Sequence, residues 1–398
     1  MSTTRQDSKG WTVAFAAFGI NLILGILYSW SLIQKALVND RGWTNTEASL
    51  PYTVCLATFS LVMIFAGKAQ DIYGPRPVSL LGGVLLGAGL IISVYAFSPL
   101  LMMLTFGVIG GIGIGFGFSA GTPCAMKWFQ PKHKGIIAGI VVSGVGLSPV
   151  YIAPLTDFLL RTYGIQNTFF YLGIFSVAGI TLLSLILRNP PPGYNPASSS
   201  AVPPEDPDGE PSWREILKSR IFIILWTSFL MSSAAGLMLI GHLANIASIQ
   251  ANWQAGFVLV AILAVFNAIG RITGGYLSDR MGRTGALLIV IIIQAVNIFL
   301  FTFYQSIPAL LTGSVVAGLS YGALFALFPA ATADFFGLKN LGFNYGLVFT
   351  GFGVAGIVGP VMGGIVADVT GTYTVSYILS SLMLLIAALL IRQLKSPL

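Results

Sequence analysis

Long apolar segments alternate with short polar connections along nearly the whole chain. A helix needs about 20 residues to cross roughly 30 Å of hydrocarbon, and segments of that length recur twelve times. They are continuously apolar and do not alternate at every second residue, which is typical of membrane helices and not of β-barrel strands. The predicted spans are 11–38, 47–66, 77–97, 100–126, 135–160, 168–188, 219–247, 254–278, 284–304, 308–333, 343–368 and 373–394.

One long polar segment divides these spans into two groups of six. Residues 189–215 are rich in Pro, Ser and acidic side chains, a composition that predicts a flexible or partly extended linker. The predicted domains are therefore an N-terminal six-helix bundle (1–188), the linker (189–215) and a C-terminal six-helix bundle (216–398).

The two groups of spans repeat each other in sequence. A Gly-x3-Asp-x2-Gly motif follows span 2 at Asp71 and span 8 at Asp279, 208 residues apart. Pro123 in span 4 and Pro329 in span 10 are 206 residues apart. A Gly-rich pattern in span 5 recurs in span 11 at an offset of 207. These matches favour a duplicated six-helix unit, and because six is an even number, both copies have the same topology in the membrane.

The charged residues are few and unevenly distributed. Only 8% of the residues are charged and 55% are hydrophobic, whereas a soluble domain has about 25% charged residues, so soluble enzymes and nucleic-acid binders are excluded. With both termini in the cytoplasm, 16 basic residues lie inside and 3 outside. This distribution agrees with the excess of Lys and Arg that cytoplasmic loops of membrane proteins carry. We therefore expect an all-α, multi-pass protein of the plasma or inner membrane with both termini cytoplasmic.

One basic residue falls inside a span. Arg271 lies in span 8, eight residues before Asp279 and so about 12 Å along the helix, at a depth where an Arg costs about 2.5–3.5 kcal/mol. No acidic residue of the predicted spans lies clearly at the same depth, because Asp334 and Asp157 lie near the ends of their own spans. A buried guanidinium can bind both oxygens of a carboxylate through two parallel hydrogen bonds, so Arg271 is predicted to bind an anionic substrate. The alternative is an Arg that reaches the interface or pairs with carbonyl groups.

Two further polar residues lie inside predicted spans. Asn267 precedes Arg271 by one turn on the same helix face, and we predict that it orients the guanidinium or binds the substrate. A plain interhelical hydrogen bond is an equal alternative. His242 in span 7 is able to carry a proton, but a hydrogen bond near the outer end of the span is the favoured interpretation.

Several motifs resemble those of the major facilitator superfamily, beginning with twelve spans in two halves and the Gly-x3-Asp-x2-Gly-x-Arg motif that ends at Arg76. Within the superfamily, shorter motifs are similar to the branch of monocarboxylate transporters and oxalate–formate antiporters. They are Tyr28-Ser29-Trp30, Asp71 to Pro77, Lys127-Trp128-Phe129, Phe325 to Pro329 and Asn344-Tyr345-Gly346. The resemblance covers the chain outside 189–215 and implies two parallel-repeat six-helix bundles.

The resemblance also implies roles for individual residues. In related transporters an Arg at this point of span 8 binds the substrate carboxylate, which supports Arg271. Animal monocarboxylate transporters usually have a proton-carrying Asp where this chain has Asn267. The oxalate–formate antiporter has a second cation at the position of Phe352, so its absence here indicates a substrate with one carboxylate. The other residues expected to line the site, each with helix packing or lipid contact as the alternative, are Tyr28, Phe118, Tyr321, Phe325, Phe349 and Phe352.

The two Asp-x2-Gly turns predict a conformational latch. A carboxylate is stabilised beside a helix N-terminus and an Arg beside an acid or a helix C-terminus, so such contacts join helices in one conformational state. The alternative is a pair of ordinary charged loops. The candidate latch residues are Asp71, Arg76, Asp279, Arg280 and Arg283.

The predicted function is secondary transport of a short monocarboxylate, such as L-lactate or pyruvate, by a monomer that moves a proton with it through alternating access. No G-x4-G-K-[ST] loop is present, which argues against ATP as the driving force. Cys55 and Cys124 have no metal-ligand spacing, and no metal, cofactor or catalytic residue is expected. Two alternatives stay open, namely exchange of one carboxylate for another and a membrane sensor that does not transport.

Overall fold

The structure is a computed structural model that describes residues 3–191, 194, 213–253 and 255–394, with the backbone alone at 3–8, 45 and 46. Over these residues the chain is helical and has no β-strand. Most of the predicted linker, at 192–193 and 195–212, lies outside the described residues.

Fifteen α-helices follow one another in the described chain, with short 3-10 turns at Gly25–Ser29, Pro131–His133 and Phe301–Phe303 and a π-helical segment at Met103–Gly110. The helices are α1 (Thr3–Leu24), α2 (Trp30–Arg41), α3 (Asn45–Tyr73), α4 (Pro75–Ser93), α5 (Pro99–Met102), α6 (Gly111–Met126), α7 (Lys134–Leu147), α8 (Pro149–Ser184), α9 (Trp213–Lys218), α10 (Arg220–Ala251), α11 (Phe257–Met281), α12 (Arg283–Leu300), α13 (Ile307–Phe336), α14 (Leu341–Thr370) and α15 (Thr374–Ile391).

Eleven helical segments of the described chain are long and apolar enough to cross a membrane, and one of them contains two predicted spans. The segment Pro131–Ser184 has 54 residues, about 80 Å of helix, which is more than twice the thickness of the hydrocarbon layer. Gly164 interrupts its helical backbone with a φ of 74°, a left-handed conformation that glycine adopts without steric cost. Spans 5 and 6 therefore meet at Gly164, and the all-α membrane fold is confirmed. The cytoplasmic location of both termini stays a prediction.

The helices are grouped into two units, each of which contains more than one stretch of the chain. Unit 1 contains 1–129, 141–196 and 340–346, and unit 2 contains 130–140, 197–339 and 347–398. The first residues of α14 thus pack in unit 1, and the first residues of α7 pack in unit 2. The predicted domain boundaries at 188 and 216 stay a prediction.

Glycines bring α11 and α13 of unit 2 into close parallel contact. A Cβ added at Gly318 of α13 would lie 3.1 Å from the backbone nitrogen of Asn267, and one added at Gly322 would collide with the Asn267 carbonyl. On α11, a Cβ at Gly274 would lie 2.7 Å from the Cα of Ala323. Such small residues allow membrane helices to pack backbone against backbone, and here they place Asn267 directly against α13.

Gly322→Ala is expected to destabilise the protein, because the new methyl group overpacks the α11–α13 contact at a cost of about 1–3 kcal/mol. The midpoint of thermal unfolding in detergent should fall by several degrees. Gly356→Ala is the matched control, since nothing lies within 4 Å of a Cβ at that position on α14. Equal unfolding temperatures for the two variants would contradict the close packing described here.

Candidate functional site

The side chain of Arg271 is buried deep within α11. Its exposed fraction is 1%, and it lies ten residues before the end of the helix at Met281, about 15 Å along the axis. A charged side chain at such a depth is expensive in a membrane protein and usually has a function.

Two neighbours hold the Arg271 guanidinium in a defined orientation. Its Nε donates a 2.9 Å hydrogen bond to Oδ1 of Asn267, one turn earlier on α11. Its Cζ lies 4.8 Å from the centroid of the Phe325 ring on α13, within the range of a cation–π interaction. Both groups are uncharged, so these contacts orient the guanidinium without forming an ion pair with it.

This arrangement follows from the close contact of α11 and α13. Gly322 of α13 lies against the Asn267 backbone, and Phe325 follows it by three residues, close to one helical turn. Arg271 follows Asn267 by four residues, again about one turn. Because the two helices run in the same direction, the ring of Phe325 reaches the same level as the guanidinium.

Aromatic rings from three helices of unit 2 surround Phe325. The ring centroid of Phe352 lies 5.3 Å from that of Phe325 and 5.0 Å from that of Phe349. Tyr321 lies 5.3 Å from Phe325, and Phe229 contacts Phe328 with centroids 4.4 Å apart. We name this set the aromatic cluster, and its members are Phe229, Tyr321, Phe325, Phe328, Phe349 and Phe352.

The predicted site residues divide between the two units. Arg271 and Asn267, together with Tyr321, Phe325, Phe349 and Phe352, lie in unit 2. Tyr28 and Phe118 belong to unit 1. There Tyr28 lies in the 3-10 turn Gly25–Ser29 and is 42% exposed, and Phe118 is buried against Phe59 with ring centroids 5.5 Å apart.

Two members of the aromatic cluster were missed by the sequence analysis. Phe328 lies within the Phe325 to Pro329 motif, so that motif contained a signal for it. Phe229 of α10 is one of 27 Phe residues and lies in no recognised motif. Only its packing against Phe325 and Phe328 identifies it.

At the end of α11, the carboxylate of Asp279 caps the start of α7. Its two oxygens accept hydrogen bonds from the backbone N–H groups of Gly135 at 2.8 Å and Ile136 at 2.7 Å. The first N–H groups of a helix have no partner within the helix, and the helix dipole favours a negative charge there. Asp279 therefore satisfies two of these donors with a full negative charge.

Three charged neighbours surround this cap in unit 2. Arg283 donates from Nη1 to Oδ1 of Asp279 at 2.6 Å and from Nε to Oδ2 of Asp334 at 2.5 Å. Nζ of Lys134, the first residue of α7, lies 3.3 Å from Oδ1 of Asp334. Every side chain of this charge network is less than a tenth exposed. Two acids and two bases balance, which is what makes burial of all four tolerable.

The same cap recurs in unit 1 at the repeated motif. Asp71 at the end of α3 accepts hydrogen bonds from the backbone N–H groups of Gly342 at 3.2 Å and Phe343 at 2.9 Å, at the start of α14. The predicted latch residues Arg76 and Arg280 make other contacts. Exposed Arg76 donates to the Leu185 carbonyl at 2.5 Å, and the Cζ of exposed Arg280 lies 4.6 Å from the Tyr276 ring centroid.

Asp279→Asn is expected to lower the unfolding temperature in detergent by several degrees. The substitution replaces a charged acceptor at the α7 N-terminus and takes one carboxylate from the charge network, and breaking a buried ion pair costs about 3–5 kcal/mol.

Asp157→Asn is the matched control, because its ion pair with Arg161 is exposed, with side chains 44% and 79% accessible, and such pairs contribute little. An unfolding temperature of Asp279→Asn equal to that of the control would show that the cap does not stabilise unit 2.

Comparison with known proteins identifies the family to which this chain belongs. The family model described as Major Facilitator Superfamily matches residues 10–296 and 240–397. The sequence is 25% identical to the uncharacterized MFS-type transporter YhjX of Escherichia coli, over 90% of this chain and 88% of that protein. It is 27% identical to the oxalate:formate antiporter of Oxalobacter formigenes, over 94% and 88%. It is 28% identical to monocarboxylate transporter 12 of Xenopus laevis, over 78% and 72%.

A solved structure supports the fold. The Escherichia coli fucose:proton symporter superposes with a TM-score of 0.71 over 95% of this chain and 97% of that one. The sequence identity is 15%, so the likeness concerns the arrangement of the helices alone. Together these matches confirm the family and the branch relatives that the sequence motifs resembled.

Proposed function

The chain belongs to the Major Facilitator Superfamily and is a multi-pass membrane transporter, and we propose that its substrate is a short monocarboxylate such as L-lactate or pyruvate. The observation that carries this proposal is the buried guanidinium of Arg271, held by Asn267 and Phe325 beside the aromatic cluster. Superfamily membership disfavours the alternative of a sensor that does not transport.

A carboxylate is the ligand that suits the Arg271 site. The planar guanidinium presents paired N–H donors that match the two oxygens of a carboxylate, and charge-assisted hydrogen bonds of this kind are about twice as strong as neutral ones. The hydrogen bond from Nε to Asn267 fixes the plane of the group. A substrate therefore meets a donor whose orientation is already set, which lowers the entropic cost of binding.

The aromatic cluster favours one carboxylate and a short apolar remainder. Phe325 contacts the guanidinium, and the Phe352 ring lies 5.3 Å beyond it. A second carboxylate placed among these rings would lose its hydration without gaining a partner, which is costly. Among the named relatives, one is a monocarboxylate transporter, and formate, one of the two substrates in the name of the antiporter, also has a single carboxylate.

The proposed mechanism is alternating access with a proton as the coupled ion. Binding of the anion neutralises Arg271, which reduces the cost of enclosing the site in a low-dielectric environment. The carboxylate caps at Asp71 and Asp279 join the starts of α14 and α7 to their units in the present state, and their release accompanies the conformational change. We place the protein in the cytoplasmic membrane as a monomer with both termini inside.

Arg271→Gln and Arg271→Lys are each expected to reduce the initial rate of labelled L-lactate uptake into proteoliposomes at least tenfold. Gln removes the charge, and Lys keeps the charge but loses the planar fork. Arg161→Gln is the matched control, because Arg161 is 79% exposed, and it should transport as the wild type does.

Uptake by Arg271→Gln at the rate of the control would overturn the assignment of this residue. Failure of the wild type to take up any monocarboxylate would overturn the substrate class.

Carboxylate exchange is the second candidate, and the match to an oxalate:formate antiporter over 94% of the chain favours it. An imposed pH gradient, acid outside, distinguishes the two modes. Proton symport predicts L-lactate accumulation in proteoliposomes that contain no carboxylate, and a protonophore should abolish it. Accumulation that occurs only with a carboxylate preloaded inside, and that ignores the protonophore, would establish exchange instead.

A further inference from the structure

The imidazole of His242 lies in a notch on the surface of α14. His242 belongs to α10, and its Nε2 lies 3.0 Å from the carbonyl oxygen of Pro360. The notch exists because Gly363 has no side chain, since a Cβ there would lie 2.7 Å from Nε2. Gly364 lies beside the notch, where a Cβ would be in ordinary van der Waals contact with the ring, 3.8 Å from Cε1. The ring therefore contacts the α14 backbone directly.

The hydrogen bonds around His242 suit a neutral imidazole that carries its hydrogen on Nε2. The Pro360 carbonyl only accepts, so Nε2 carries the hydrogen and donates it, as inferred from the network. Nδ1 lies 3.2 Å from the hydroxyl oxygen of Tyr373, the residue before α15, and in this neutral form it accepts the hydroxyl hydrogen. The same hydroxyl oxygen accepts a 2.9 Å hydrogen bond from Nδ2 of Asn245 on α10. Each group has a compatible partner while the imidazole is neutral.

Protonation would change this network at one atom. The added proton binds to the lone pair of Nδ1, so that Nδ1 becomes a donor toward the Tyr373 oxygen and the hydroxyl hydrogen of Tyr373 must turn to another acceptor. The groups that face the ring are the Tyr373 phenol from α15 and the Pro360 carbonyl with Gly363 from α14, and Asn245 of α10 acts through Tyr373. The acidic residue of α14 is Asp368, which follows Gly364 by four residues. Imidazole is the side chain whose unperturbed titration falls in the physiological range.

The contact between α10 and α14 extends from His242 to the aromatic cluster. Near the cluster, Nε1 of Trp226 donates to Oγ1 of Thr350 at 2.9 Å. Between the two ends, a Cβ at Gly359 would lie 3.0 Å from the backbone nitrogen of Met238. Phe229 of α10 and Phe352 of α14 are cluster members, and Phe352 precedes Pro360 by eight residues, about 12 Å. A rearrangement at the His242 end of this contact would therefore displace helices that also carry rings of the cluster.

We propose that His242 is the binding site of the coupling proton, and that its protonation at Nδ1 rearranges the contact between α10, α14 and α15. This inference rests on the proposed function and supplies the proton site that Asn267 cannot provide, because an amide does not titrate. The carboxylate then binds at Arg271 on α11 and the proton at His242 on α10, and these two helices are in contact.

The imidazole itself can be titrated without any substrate. The chain has two His residues, so in the His133→Gln variant the remaining imidazole nitrogen-15 NMR signal belongs to His242. We expect the neutral imidazole to carry its hydrogen on Nε2 and to gain the second hydrogen on Nδ1 in acid, and Tyr373→Phe should change the pH at which this happens. An imidazole that gains no hydrogen over the pH range in which the protein stays folded, or that carries its hydrogen on Nδ1 when neutral, overturns the inference whether or not the protein transports monocarboxylates.

Transport separates the proton site from the carboxylate site. Proteoliposomes with His242→Gln are compared with His133→Gln as the control for two activities, namely lactate exchange at equal pH and uptake driven by a pH gradient. We expect the ratio of gradient-driven uptake to exchange to fall at least tenfold in His242→Gln alone, with a flat pH dependence of the exchange rate. An unchanged ratio, or equal loss of both activities in a variant with the wild-type unfolding temperature, overturns the inference. If the wild type transports no monocarboxylate while the imidazole titrates as expected, the proposed function fails instead.

Discussion

Burying the charge of Arg271 among apolar helices is the constraint around which the C-terminal helices are arranged. The guanidinium needs groups that orient it and favour its charge, and Asn267 and Phe325 supply an amide oxygen and a ring face. The positions of Asn267 and Phe325 depend on the backbone contact of α11 with α13. There Gly318 and Gly322 have no side chain and leave space for the Asn267 backbone. The same contact sets the level of Phe325, and through it the position of the aromatic cluster.

The helix caps follow a related logic at the helix ends. Asp71 and Asp279 each present a carboxylate to two backbone N–H groups of a helix that begins nearby in the same unit. The duplicated sequence therefore yields a duplicated contact. The surroundings differ, because Arg283 and Asp334 extend the cap of unit 2 into a buried network, whereas Arg76 in unit 1 donates to a helix carbonyl at its surface.

The sequence predicted the membrane spans and the family, and it placed Arg271 and Asn267 on one face of a helix. Arg271 and Asn267 were predictable together because residues four apart share a helix face, and their hydrogen bond forms within one helix. Asp71 and Asp279 were predictable because the motif repeats. Arg76 and Arg280 lie within the stretches of the repeated motif but contact other groups. A long exposed side chain can reach several neighbours that differ little in free energy. Phe229 carried no signal, because an apolar ring in a span is equally compatible with lipid and with packing.

The sequence by itself determined that this chain crosses a membrane as helices, since the length of an apolar segment and the need to satisfy backbone hydrogen bonds in hydrocarbon leave no other regular structure. It also determined that a cation lies deep in one of those helices. Only the tertiary structure decided which rings surround Arg271 and that His242 lies in the notch beside Gly363 and Pro360. Those contacts depend on how each helix is rotated and how closely it approaches its neighbours, and residues far apart in sequence set both through packing.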